Sequence, residues 1–148
     1  MMVRAMTQAV RDPSGFRMSV PGLLDQRPLA IQFVLSVCRS FAVPFDVEHA
    51  VISAFSEAFN NVVLHSYRDH DGDLDIDVEI SGGRITLRLG DRGVGFDPHL
   101  VERPDLDELP ERGLGLFIIL RAMDEVRWTR ENGQNVLTMA KRLPRSGA

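Results

Sequence analysis

The sequence predicts an α/β (α+β) two-layer sandwich: a mixed, largely antiparallel sheet with helices packed on one face. Three observations predict it. Alternating apolar and polar residues flank two turn sequences, Ser81-Gly82-Gly83 and Asn132-Gly133. Apolar residues recur at helical spacing in three other stretches, 23–41, 46–67 and 113–123. No proline-, glycine- or serine-rich linker divides the chain, so these elements share one core.

In chain order, residues 1–14 are polar-mixed and are expected to form a disordered N-terminal extension. Residues 15–143 form a single domain, and 144–148 a tail. Residues 16–20 alternate as a short strand, and Pro21-Gly22 turns the chain. A helix over 23–41 places Ala30, Val34, Val37, Cys38 and Phe41 on one side, with Pro28 tolerated in its first turn. Val43-Pro44 ends it. Asp46 is the expected N-cap of the next helix, which runs to about Tyr67. After a polar loop, Leu74, Ile76, Val78 and Ile80 alternate with acidic residues, and Ile85, Leu87 and Leu89 return as the second strand of a hairpin. A glycine loop, Gly90-Asp91-Arg92-Gly93-Val94-Gly95-Phe96-Asp97-Pro98, follows directly. Residues 97–112 are acidic, carry three prolines and lack apolar periodicity, so they read as a loop. Gly113 opens an apolar helix to about Met123, and a last hairpin pairs 126–130 with 136–141.

Composition bounds the function. The 148 residues suit one domain. A hydrophobic content of 44% supports a core, and 26% charged residues with a net charge of -4 leave no basic stripe for direct nucleic-acid binding. Cys38 stands alone, which excludes an internal disulfide and a cysteine metal cluster. No apolar run approaches a membrane span. Residues 1–12 lack the long apolar segment of a secretion signal, so a cytoplasmic protein is expected.

Three motifs carry chemistry. Glu57, Asn61 and His65 are spaced four and four, and on a helix they stack with Ser53 into one polar stripe. Asn is a poor helix former, so Asn60-Asn61 in mid-helix asks for a compensating ligand, metal or hydrogen bond. A carboxylate one turn before a carboxamide suits a base beside a cation ligand; the alternative is a solvated polar face. The second motif is Asp91-x-Gly93-x-Gly95, where glycine lets a backbone approach a ligand closely and Asp91 can accept from an exocyclic amine. The alternative is a tight turn. The third is Gly113-x-Gly115 at a helix start, where free amides favour an anion and Arg112 can add charge-assisted contacts; the alternative is a plain helix cap. No Gly-Lys-Ser/Thr follows, so this is not a P-loop.

Taken together and in this order, the motifs resemble those of the GHKL ATPase superfamily, which includes gyrase, chaperone, histidine-kinase and mismatch-repair nucleotide sites. Glu57-x-x-x-Asn61 looks like the N box, Asp91-Arg-Gly93-Val-Gly95-Phe96 like the Asp-x-Gly-x-Gly box, and Gly113-Leu-Gly115-Leu like the last glycine box. Glu57-Ala-x-x-Asn61-x-x-x-His65-x-Tyr67, with Gly113-Leu-Gly115-Leu116 and Met123-Asp124-Glu125-Val126, resembles the anti-sigma-factor serine kinases more particularly. The resemblance covers about residues 16–143. It implies that ATP and Mg²⁺ bind, with Asn61 coordinating the metal and Glu57 drawing the proton from an attacking serine. It implies that Asp91 takes the adenine amine in a pocket shaped by Gly93, Gly95 and Phe96. Arg112, Gly113, Leu114, Gly115 and Leu116 would hold phosphate, and residues 97–112 would be the ATP lid. Two departures stand out: Arg112 where a small residue is common, and Asn60 where a small residue usually precedes the N-box Asn.

The resemblance implies an anti-sigma factor with serine kinase activity, phosphorylating a STAS-type anti-anti-sigma protein and sequestering a sigma factor of RNA polymerase. An alternative is a nucleotide-binding module that sequesters without transferring phosphate, against which the retention of Glu57 speaks. Another is a detached histidine-kinase ATPase domain, which needs a helical phosphoacceptor domain that the chain is expected to lack. An exposed sheet edge is compatible with a homodimer.

Overall fold

The computed structural model describes residues 8–12, 15–68, 70–95 and 114–145. Its elements are β1 (Gln8–Asp12), β2 (Gly15–Pro21), α1 (Arg27–Ser40), α2 (Phe45–Asn61), β3 (Asp73–Ser81), β4 (Arg84–Asp91), α3 (Leu114–Ala122), β5 (Glu125–Glu131) and β6 (Gln134–Arg142). The strands form one six-stranded sheet in the order β1-β2-β3-β4-β6-β5. All five pairings are antiparallel. The helices cover one face, which gives the expected two layers.

The period-2 pattern does what it predicts. Leu74, Ile76 and Val78 of β3 and Ile85, Leu87 and Leu89 of β4 are buried against the helices. The intervening Asp75, Asp77, Thr86 and Arg88 form the opposite face. There, Arg17 Nε meets Asp77 Oδ1 at 2.5 Å and Arg88 Nη2 meets Glu131 Oε2 at 2.7 Å. Ser19 Oγ and Gln134 Nε2 both donate to Asp75. Both hairpins turn through left-handed residues: Gly82 and Gly83 at φ 61° and 74°, Asn132 and Gly133 at 52° and 74°.

Three sequence expectations change. Gln8–Asp12, expected within a disordered extension, is an edge strand whose Gln8 to Asp12 pair with Ser19 to Gly15. A 3-10 turn over Leu24–Gln26 replaces the start of the first helix, and α1 proper begins at Arg27 with Pro28 in its first turn. Asp46 is not the N-cap of α2. Pro44 holds that place with its extended backbone, and Asp46 and Glu48 lie in the first turn, where negative charge faces the positive end of the helix dipole.

After Asn61 the helix continues through Val62–Tyr67 as a π-helix. The apolar rows explain it. Val51, Phe55, Phe59, Val63 and Tyr67 form one buried row, and Ala54, Ala58, Val62 and Ser66 a second. Both keep strict four-residue spacing, whereas an α-helix has 3.6 residues per turn, so such rows drift by about 40° per step. A wider i→i+5 turn reverses that drift and keeps the last members of both rows against the sheet. Cys38 is buried between α1 and its neighbours; burial pushes its thiol up to about 11, so it behaves as a small apolar residue.

Candidate functional site

Two groups of residues assemble along the axis of α2 and its π extension. At the first, Glu57 and Asn61 lie one turn apart on α2, both half-buried. The first turn of α3 approaches them. A Cβ at Gly115 would stand 2.7 Å from Glu57 Oε2 and 3.8 Å from Asn61 Oδ1. Glycine is therefore what lets a helix N-terminus come up to this carboxylate and carboxamide. Asn60 faces elsewhere: its Oδ1 accepts from Arg27 Nη1 of α1 at 2.8 Å. That bond supplies compensation for an Asn in mid-helix.

At the second, Asp91 closes β4 with its side chain buried. Asp91 Oδ1 accepts from the Ser66 hydroxyl, from the Gly93 amide at 2.9 Å and from Asn135 Nδ2 at 3.0 Å. Ser66 also holds the loop beyond Asp91. Its carbonyl accepts from Val94 N–H at 2.9 Å, and its Oγ accepts from Gly95 N–H at 3.1 Å. A Cβ at Gly93 would fall 2.4 Å from the Ser66 carbonyl oxygen, and Gly95 has φ 86°. Both glycines are dictated by the path of this loop.

Tyr67, the next residue on the π turn, braces the same loop. Its hydroxyl donates to the Asp73 carbonyl and accepts from Arg92 N–H at 3.0 Å. Burial, foremost, pushes this phenol above its ordinary range. Tyr67→Phe removes two part-buried hydrogen bonds at once, so it is expected to lower stability by about 1–3 kcal/mol, read as a lower urea midpoint at unchanged slope.

The structure thus brings Glu57, Asn61 and Gly115 together, and Asp91, Gly93 and Gly95 together. Leu114 opens α3 and Leu116 is buried in it. Phe96, Arg112, Gly113 and the expected lid at 97–112 lie outside the described residues. His65 is exposed while Ser53, Glu57 and Asn61 are half-buried, so it does not share their environment. Among the described residues no group of three His, Cys, Asp or Glu side chains could hold a metal. Glu57 Oε2 and Asn61 Oδ1, the side-chain oxygens nearest Gly115, are donors of the kind a hard cation takes.

Sequence reasoning missed Ser66 and Asn135. Each carried a signal: Ser66 is the polar end of the row Ala54-Ala58-Val62, and Asn135 heads the inward row Leu137-Met139 of β6.

Comparison with known proteins follows from this geometry. Residues 20–141 match the family model described as histidine kinase-like ATPase domain. The chain is 34% identical over 109 residues to serine-protein kinase RsbW of Bacillus thuringiensis and to that of Bacillus anthracis, covering 68% of this chain and 66% of each relative. The match therefore spans about two thirds of the length of these curated relatives. Among solved structures, the RsbU and RsbW domains of Rv1364c from Mycobacterium tuberculosis superpose with a TM-score of 0.61 at 16% identity, covering 87% of this chain and 33% of that one. The Erythrobacter litoralis EL346 blue-light activated histidine kinase does so at 0.55 and 19%, covering 68% and 32%. At these identities the structural matches establish the fold.

Proposed function

The chain belongs to the histidine kinase-like ATPase domain family, and from that premise we propose that it is an anti-sigma factor with ATP-dependent serine kinase activity. It phosphorylates a STAS-type anti-anti-sigma protein and sequesters a sigma factor of RNA polymerase. The similarity to RsbW serine-protein kinases supports this reading. The observation that carries it is the seating of Gly115 on Glu57 and Asn61, since phosphoryl transfer needs positioned charge and a placed base more than covalent help.

The residues divide the work. Glu57 takes the proton of the attacking serine hydroxyl. Asn61 is the protein ligand for Mg²⁺, which when bound neutralises the phosphate charge. The amides of Leu114, Gly115 and Leu116 at the start of α3, with Gly113 and Arg112 that precede them in the sequence, hold phosphate oxygens. Asp91 accepts from the adenine amine, and Gly93, Gly95 and Phe96 shape the pocket around it. His65 has no part in this scheme.

The test mixes the purified chain with Mg-ATP and STAS-domain proteins from the same genome, and looks for a phosphoserine mass shift. Transfer to one of them is expected. ATP binding without transfer to any candidate would favour sequestration alone, and absence of ATP binding would overturn the reading.

Gly115→Ala probes the phosphate end. The atom its Cβ meets is the far end of a flexible side chain, Glu57 Oε2 at 2.7 Å. The fold therefore tolerates the methyl by moving the carboxylate. Stability is expected to stay within about 1 kcal/mol, glycine-to-alanine in a helix being favourable by a similar amount. The rate of transfer is expected to fall at least about tenfold, because a general base must lie within hydrogen-bond reach of its proton.

A further inference from the structure

The inward row of β6 ends on a charge. Leu137, Met139 and Lys141 share one side of the strand, and Lys141 pairs with Ile85, which is fully buried beneath the helices. Lys141 is also the only lysine in the chain. A half-buried ammonium at the end of an apolar row asks for a partner. It has one in the carbonyl of Ala122, the last residue of α3, to which Nζ donates at 2.8 Å. The last carbonyls of a helix lack partners within it and form the negative end of its dipole. An ammonium answers both needs.

Two further bonds tie the chain just past α3 to the same stretch of β6. Asp124 N–H donates to the Ala140 carbonyl at 2.9 Å, and Asp124 Oδ2 accepts from Arg142 N–H at 2.7 Å. Of these three bonds, the one from Lys141 reaches the helix itself. Along its length α3 is held by the buried Leu116 and Ile119. Apolar packing is non-directional, so it fixes which face of α3 turns inward and sets its position along the axis only loosely. A charge-assisted hydrogen bond is directional and sets that position. α3 has nine residues and is about 13 Å long, short enough to move as one rod. Its other end has little slack, since a Cβ at Gly115 would stand 2.7 Å from Glu57 Oε2. A shift of α3 along its axis therefore changes how its first amides meet Glu57 and Asn61.

We infer that Lys141 is a positioning residue for the phosphate end of the site: by holding the last turn of α3 against β6, it sets where the amides at the start of α3 stand relative to Glu57 and Asn61. The inference rests on the reading of that end as a phosphate site. Lys141 lies at the opposite end of α3 from the phosphate, so it acts through the helix. A neutral, non-bonding side chain in its place frees the last turn, and the first turn moves away from the phosphate with it. The groups around Asp91 come from other elements and do not depend on α3.

The experiment measures dissociation constants of ATP with Mg²⁺ and of adenosine, which has no phosphate, for the full chain and for Lys141→Met, Lys141→Arg and Lys141→Gln. The wild type is expected to bind ATP more tightly than adenosine. In Lys141→Met that preference is expected to fall at least about fivefold with adenosine unchanged, and the transfer rate at saturating ATP to fall with it. Lys141→Arg keeps the charge and is expected to restore part of the preference, whereas Lys141→Gln keeps a donor without the charge. If the methionine variant does not fold, a greater preference in Lys141→Arg than in Lys141→Gln supports the inference, and equal values overturn it. Equal weakening of ATP and adenosine in Lys141→Met, or no change in either, would mean a merely structural role and would overturn the inference while leaving the kinase reading intact. A wild type that binds ATP no more tightly than adenosine would overturn the reading of the phosphate site itself.

Discussion

Glu57→Gln is expected to lower phosphoserine formation on the partner protein by about 10²–10⁴-fold, the usual worth of a positioned general base, while ATP still binds. The change keeps the shape of a half-buried side chain on α2 and removes its charge and basicity. Asn61 lies one turn on and the backbone of Gly115 stands beside it. Nucleotide affinity should change far less than the rate, since the phosphate and the purine are held by other residues. Asn61→Ala gives the complementary pattern, with Mg-nucleotide binding and transfer lost together. Single-turnover mass spectrometry at saturating ATP separates the two. Transfer in Glu57→Gln within a few-fold of wild type would move the base elsewhere.

Much of this arrangement is legible in the sequence because it rests on local periodicity. The alternation through 74–80 and 85–89 specifies a hairpin and its buried face, and Asn132-Gly133 specifies the second. Four-residue spacing of Glu57 and Asn61 specifies a shared helix face. What is not legible depends on partners distant in the chain. Gln8–Asp12 shows no alternation of its own; it is a strand because β2 offers it an unpaired edge. The π turn is invisible because rows at strict four-residue spacing read alike in either helix until the sheet beneath requires their ends. Ser66 and Asn135 are single polar residues in apolar rows, and their meaning appears when Asp91, 25 and 44 positions away, is placed between them. His65 shows the converse: its spacing matches the stripe, yet it lies exposed beyond the point where the helix changes pitch.

Gly72→Ala is expected to be the most destabilising of these changes, by about 2–5 kcal/mol, combining overpacking with lost hydrogen bonds. The Tyr67 ring lies between two glycines. A Cβ at Gly72 would stand 2.2 Å from Tyr67 Cε1 and 2.4 Å from Cζ, and a Cβ at Gly22 would stand 2.7 Å from Cδ2. Gly22 N–H donates to the Gly72 carbonyl at 2.7 Å, so the two glycines are joined around the ring. The ring has no exit, being buried and bonded through its hydroxyl to Asp73 and Arg92. Urea unfolding of Gly72→Ala, Tyr67→Leu and the double variant tests this as a cycle. If the clash is the cause, the double variant loses less than the two single changes together, by about 1–3 kcal/mol. Additive losses would place the cost in the backbone at Gly72 instead. The same clamp carries the amide of Arg92, one residue beyond Asp91, so Gly72→Ala should also weaken nucleotide binding at temperatures where the chain is still folded, and wild-type affinity there would confine the clamp to a structural role.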